Sequence, residues 1–183
     1  MRNSGGMARS GEVLEVPGLG VRIEFRRTTE ETGGELVEID VVGRPKGLIT
    51  APHVHPAQTE RHEVIEGSMR MKNGPLERVL SPGDVVETAA GVEHSHRSAG
   101  DGPMRVRVQI RPAGAFEPWL EALAAMDRDG QLLPGGWPRP VAAARFLLDF
   151  EGEAHGTIPP LAVQQTAARA VLRAHEAVAQ RRR

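Results

Sequence analysis

The chain has 183 residues, 39% of them hydrophobic and 26% charged, and a formal net charge of -1. That length suits one domain with an appendage and is enough to bury a real core, while the near-neutral balance gives no bulk electrostatic basis for binding nucleic acid or an anionic membrane. Cys and Tyr are absent, which excludes disulfides, thiolate ligands and any tyrosine nucleophile, so a bound metal must be held by nitrogen and oxygen.

Residues 1–11 read as a flexible leader. Met1-Arg2-Asn3-Ser4-Gly5-Gly6 has no apolar stretch behind its charge and is not a secretory signal, and Met7 is an alternative start. No apolar run approaches the length of a membrane span, and a cytoplasmic location is expected.

From residue 12 onward, short segments rich in Val and Ile alternate with Gly- and Pro-containing turns. Strands are predicted over 12–16, 21–27, 35–42, 60–65, 68–72, 77–80, 84–88 and 104–110. In the last of these Met104, Val106, Val108 and Ile110 alternate with Arg105, Arg107 and Gln109, the period-two pattern of a half-buried strand. Asn73-Gly74 is a two-residue hairpin signal. Many short strands with no α/β alternation predict a mainly β fold, an antiparallel sandwich or barrel.

The character changes near Pro112. Phe116, Trp119, Leu120, Leu123 and Met126 recur at helical spacing, 127–140 is a loop rich in Gly and Pro, and 141–150 and 161–180 read as further helices. The organisation expected is a barrel over 12–112 and a helical extension over 113–183 that packs on it, covering one end or building a dimer contact. The arginines at 181–183 read as a solvated end.

Five of the seven His residues fall between positions 53 and 96. Residues two apart on a strand point to one face, so His53 and His55 can both aim into a barrel interior, and Glu60 can face them after a turn at Pro56. Imidazoles with a carboxylate suit a first-row divalent ion better than Ca²⁺ or Mg²⁺, which prefer oxygen shells.

Gly47, His53, His55, Glu60 and Gly67 resemble, at every fixed position, the first motif of the cupin superfamily, G-x5-H-x-H-x4-E-x6-G. The second motif, G-x5-P-x-G-x2-H-x3-N, is kept at Gly83, Gly91 and His94, with Ala89 in its Pro position and Ser98 in its Asn position. The resemblance covers roughly residues 13–111 and implies an antiparallel double-stranded β-helix (a jelly roll), with which the C-terminal α-helices read from the sequence are compatible. It also implies a metal held by His53, His55, Glu60 and His94; Fe, Mn, Ni, Cu and Zn all suit such a set.

His62 and His96 lie two residues after Glu60 and His94, so the same parity turns them inward, where either could move a proton as a catalytic residue. Gln58 sits in the ligand loop, where it orients a substrate or caps a turn. Arg105 and Arg107 bind an acidic substrate if their strand face points inward, and are solvated charges if it points outward. Trp119, Trp137 and Phe146 either lid the pocket or pack helix to barrel, and His155 and His175 are assigned no role.

The function expected is a metal-dependent enzyme acting on a small organic molecule, with dioxygenase or related oxidoreductase chemistry. The alternatives are a Lewis-acid isomerase or cyclase of secondary metabolism and a non-catalytic binder of metal or a small ligand. A homodimer is expected by resemblance, with neither nucleic acid nor membrane as a partner.

Overall fold

The structure is a computed structural model and describes residues 8–181; the proposed start at Met7, most of the leader, and Arg182 and Arg183 lie outside the described residues. The strands are β1 (Val13–Val16), β2 (Val21–Arg27), β3 (Val37–Gly43), β4 (His53–Val54), β5 (Thr59–Glu66) and β6 (Met69–Asn73). They continue with β7 (Leu76–Leu80), β8 (Val85–Thr88), β9 (His94–Ser98) and β10 (Met104–Arg111). The tail contributes α1 (Phe116–Arg128), α2 (Pro140–Phe150), β11 (His155–Gly156) and α3 (Leu161–Arg181).

Two antiparallel sheets form, in the orders β1-β2-β3-β10-β5-β8 and β11-β4-β9-β6-β7. From β3 to β10 the chain repeatedly crosses between them, the winding of a double-stranded β-helix. This crossing positions the site: β5 approaches from one sheet, and β4 and β9 approach from the other.

The core is the meeting of the two inner faces. On β10, Met104, Val106, Val108 and Ile110 are buried, as their alternation predicts. Phe25, Ile23, Ile39 and Val64 join them from the same sheet, with Met69 and Met71 opposite. Each such side chain contributes roughly 1.5–3 kcal/mol by leaving water. The inner face of β5 departs from this pattern, carrying Glu60 and His62 before Val64. Polar groups are buried there without an apolar reason.

The eight predicted strands form with shifts of one or two residues at their ends. β4, β9 and β11 are additional, and β9 reads His-Ser-His-Arg-Ser, which has no Val or Ile to mark a strand. Pairing with β4 and β6 makes it one. The hairpin between β6 and β7 also corrects the sequence reading: Asn73 pairs with Leu76, so the two loop residues are Gly74 and Pro75. Gly74 takes the positive φ of 56° that the first central position of a type II′ turn needs.

In the tail, α1 packs Phe116, Leu120, Leu123 and Ala124 into the core. α2 and α3 pack on each other, with much of α3 exposed. Between them β11 pairs with β4, setting His155 opposite Val54 and Gly156 opposite His53, so the tail extends the sheet that carries the candidate ligands. Among the described residues no helix is long and apolar enough to cross a membrane.

Candidate metal centre

His53 and His94 are direct partners in the β4–β9 ladder, and Glu60 faces them from β5. His55 lies just past the end of β4. One ligand atom from each of these four residues comes within 4.8 Å of all the others. His55, Glu60 and His94 are buried and His53 is half-buried.

Each imidazole is oriented by a main-chain carbonyl that accepts from Nδ1. His53 donates to Ala51 at 2.8 Å, His94 to Val92 at 3.1 Å, and His55 to Glu153 at 2.6 Å. These bonds place the hydrogen on Nδ1 and turn the Nε2 lone pair toward the centre, as metal-binding histidines require. Nε2 of His94 lies 2.6 Å from Oε2 of Glu60, and Nε2 of His55 lies 3.7 Å from the same oxygen. The 2.6 Å approach is short enough for a hydrogen bond but lacks the geometry of one, and both atoms are buried without a partner. A nitrogen lone pair and a carboxylate oxygen this close need a cation between them: a proton or a metal ion. The donor set therefore fits a first-row divalent ion.

The electrostatics agree. Burial, reinforced by His94, pushes the His53 imidazole down to about 4, so it is a neutral ligand at ordinary pH. Burial opposes ionisation of Glu60, but His62, His94 and His55 outweigh it and hold the carboxyl well below the usual carboxylate range. Burial also disfavours charge on His94, yet Glu60 beside it raises the imidazole above its ordinary value.

His62 and His96 both point inward, with ring centroids 5.1 Å apart, but they differ in access. His96 lines the cavity described below, whereas fully buried His62 sits behind Glu60, its Nε2 3.5 Å from Oε1. Both ring nitrogens of His62 and Nδ1 of His96 lack hydrogen-bond partners. Burial and then the neighbouring His62 push His96 down to about 3, and burial lowers His62 despite Glu60. His96 is therefore a neutral ring at physiological pH.

Three sequence candidates lie elsewhere. Arg105 and Arg107 face the outside of their sheet, where both hydrogen-bond the carboxylate of Asp40 at 2.6–3.2 Å. Their strand face points outward because its alternate residues fill the core, so the acidic-substrate role is corrected to a structural ion-pair cluster. Gln58 is buried, donates to Glu153 Oε2 at 2.7 Å and to the Ala113 carbonyl at 3.3 Å, and does not line the cavity. It ties the ligand loop to the tail. Gly114 permits this closure: a Cβ there would come within 2.7 Å of both Gln58 Nε2 and Glu153 Oε2.

The centre opens on a cavity of about 640 Å³ built jointly by barrel and tail. His53, His55, Glu60 and His96 line it, with Phe116 and Trp119 from α1, Phe146 from α2, and His155 from β11. Sequence reasoning missed the Glu153 carbonyl and His155. A main-chain carbonyl has no signature in sequence, and a two-residue strand has no periodicity.

Residues 41–110 match the family model described as a cupin domain. No curated protein matches the chain. Among solved structures it is similar to KdgF from Halomonas sp., at 20% identity over 55% of this chain and 87% of that one, with a TM-score of 0.47. It is also similar to an RmlC-like cupin from Shewanella frigidimarina, at 16% identity over 62% of this chain and 94% of that one, with a TM-score of 0.47. A predicted oxalate decarboxylase from Thermotoga maritima shares 16% identity over 50% of this chain and 80% of that one, with a TM-score of 0.46.

Proposed function

Residues 41–110 of this chain are a cupin domain, and on that premise we propose that the protein is a metal-dependent enzyme acting on a small organic molecule, with dioxygenase-type oxidoreductase chemistry as its reaction class. One observation carries the reading: the four convergent ligand atoms belong to residues of which His53, His55 and Glu60 also line the cavity. Metal and substrate can therefore meet there. His53, His55 and His94 would hold the ion through Nε2 and Glu60 through its carboxylate. A divalent first-row ion bound there supplies O₂ and substrate activation if it is iron, or Lewis acidity if it is zinc or manganese.

The rest of the work falls to the chain's own residues. The carbonyls of Ala51, Val92 and Glu153 fix the three rings before any ligand arrives. His96, a neutral ring on the cavity wall, orients a polar substrate atom at an imidazole nitrogen, and His62 positions Glu60 from behind. α1, α2 and β11 restrict water entry.

The test is elemental analysis of protein purified without added metal, followed by reconstitution with Fe(II), Mn(II) or Zn(II) and measurement of O₂ uptake across a substrate panel. O₂ uptake with iron alone supports the reading. Turnover without O₂ uptake shifts it to a Lewis-acid isomerase or cyclase. Stoichiometric ligand binding with no turnover for any metal overturns the enzyme reading in favour of a binder.

A further inference from the structure

Glu60 stands at one end of a cavity floor that is otherwise apolar. On the inner face of the first sheet, Val108 of β10, Ile39 and Val41 of β3 and Ile23 of β2 line the same cavity as the candidate ligands. Their registers set them side by side going away from β5: Val108 is paired with His62 and with Ile39, and Val41 with Ile23. Adjacent strands lie about 4.8 Å apart, so the three steps from β5 to β2 carry this floor roughly 14 Å from the strand of Glu60.

The tail supplies a second wall of the same character. Phe116 lies edge-on to His55 at 5.9 Å and stacks on Trp119 at 5.2 Å, and Trp119 meets Phe146 at 5.6 Å. Three rings thus lead away from the ligand His55 along the cavity. The whole chain has six aromatic residues, and with Trp137 four of them line this one space.

Hydrogen-bonding capacity still open to a ligand is concentrated at the centre. His96 lies two residues from the ligand His94 on β9, and His155 is paired with Val54, the neighbour of the ligand His53. The other polar lining side chains are already spent. Lys72 pairs with Glu93 at 3.8 Å, Glu93 accepts the hydroxyl hydrogen of Thr157, and Gln164 donates to the carbonyls of Gly156 and Pro159 at 2.7 and 2.6 Å. A charge carried to the apolar end would lose its hydration with nothing there to replace it. At about 640 Å³ the cavity falls among those of roughly 300–1,000 Å³ that enclose drug-sized ligands, far more room than a two-carbon acid fills.

We propose that the substrate is an amphipathic molecule, with an oxygen-donor head at the metal centre and an uncharged hydrocarbon body that lies along Val108, Ile39 and Val41 and against Phe116, Trp119 and Phe146. This names the substrate class of the site and so rests on the metal-dependent reading above.

Calorimetric titration of the full chain, metal-stripped and loaded with one equivalent of Zn(II), tests it with octanoate, acetate and suberate. Octanoate carries head and body, acetate the head alone, and suberate a charge at each end of the same length of chain. In the Zn(II) form octanoate should bind at least tenfold tighter than acetate, the effect of burying about two methylenes, and at least tenfold tighter than suberate. It should bind at least tenfold more weakly to the stripped protein, where its head meets no cation. Phe146→Ala should lose threefold or more in octanoate affinity and leave acetate unchanged. Acetate or suberate binding as tightly as octanoate, equal binding of octanoate to stripped and loaded protein, or an unchanged octanoate affinity in folded Phe146→Ala overturns the proposal. If Phe146→Ala does not fold by circular dichroism, the wild-type comparisons decide alone. Zn(II) uptake by elemental analysis without a preference for octanoate overturns this inference and leaves the metal centre standing. A chain that takes up no Zn(II) removes the metal-dependent reading and this inference with it.

Discussion

His55 donates its Nδ1 hydrogen to the main-chain carbonyl of Glu153 at 2.6 Å, across a separation of 98 residues. A candidate ligand of the barrel is thus aimed by the tail. β11, two residues further on, pairs with the strand bearing His53, and the Glu153 side chain accepts from Gln58 in the ligand loop. The tail completes the candidate centre as well as covering it.

Truncation after Phe150 should therefore leave a folded barrel with a weaker centre. Loss of an orienting carbonyl costs about 10- to 100-fold in metal affinity, and a chelator-competition titration measures it. Unchanged affinity in a folded truncation would show that His55 does not need the tail.

The ligands themselves are tested by metal content. His53→Ala and His94→Ala should each lose most of their bound metal while keeping wild-type circular dichroism. Glu60→Gln, which removes the one anionic donor, should weaken binding without abolishing it. Full occupancy in either His variant would end the assignment.

Metal binding should strengthen as pH rises. His53, lowered to about 4, competes with protons only in acid, whereas His94 is raised above its ordinary value by Glu60 and must release a proton to coordinate. The affinity should climb with pH up to the raised value of His94, which lies above the ordinary imidazole value of about 6.5, and level off beyond it, and proton release should be seen when the same titration is run in buffers of different ionisation enthalpy. An affinity that is flat from pH 6 to 8 contradicts the role given to His94.

Asp40 makes a separate prediction about stability. Its side chain is fully buried; burial opposes its charge, but hydrogen bonds from Arg107 and Arg105 outweigh this and lower its pKa in the folded state. The unfolded chain then binds the extra proton, so the contribution is complete above the ordinary Asp value of about 3.9 and is lost as pH falls through the lower folded value. Asp40→Asn should destabilise by about 2 kcal/mol at pH 7, less than a fully buried pair because both arginines are partly exposed. Urea denaturation at pH 7 and pH 3 should show the gap between variant and wild type narrowing in acid.

His62→Phe separates packing from chemistry. The ring is fully buried and neither nitrogen makes a hydrogen bond, so an apolar ring of similar shape should keep the packing and the wild-type circular dichroism. Activity and its pH profile should change if His62 positions Glu60. Wild-type activity across pH dismisses that role.

Much of this protein is legible in one dimension. Local periodicity marks β10, α1 and the other Val- and Ile-rich strands, because a half-buried element repeats its apolar side chains at its own period. His53, His55 and Glu60 are legible because their spacing places them within a turn of one another along the chain. The other features depend on partners distant in sequence. β9 is a strand only because β4 and β6 flank it, and Arg105 and Arg107 turn outward because Met104, Val106 and Val108 claim the core. Gln58 spends its amide on Glu153 and Ala113, and His55 is aimed by a carbonyl from the tail. Side-chain identity determined which ligands this chain can offer; which of them converge, and what orients them, was decided by hydrogen bonds and burial that exist only once barrel and tail have closed on each other.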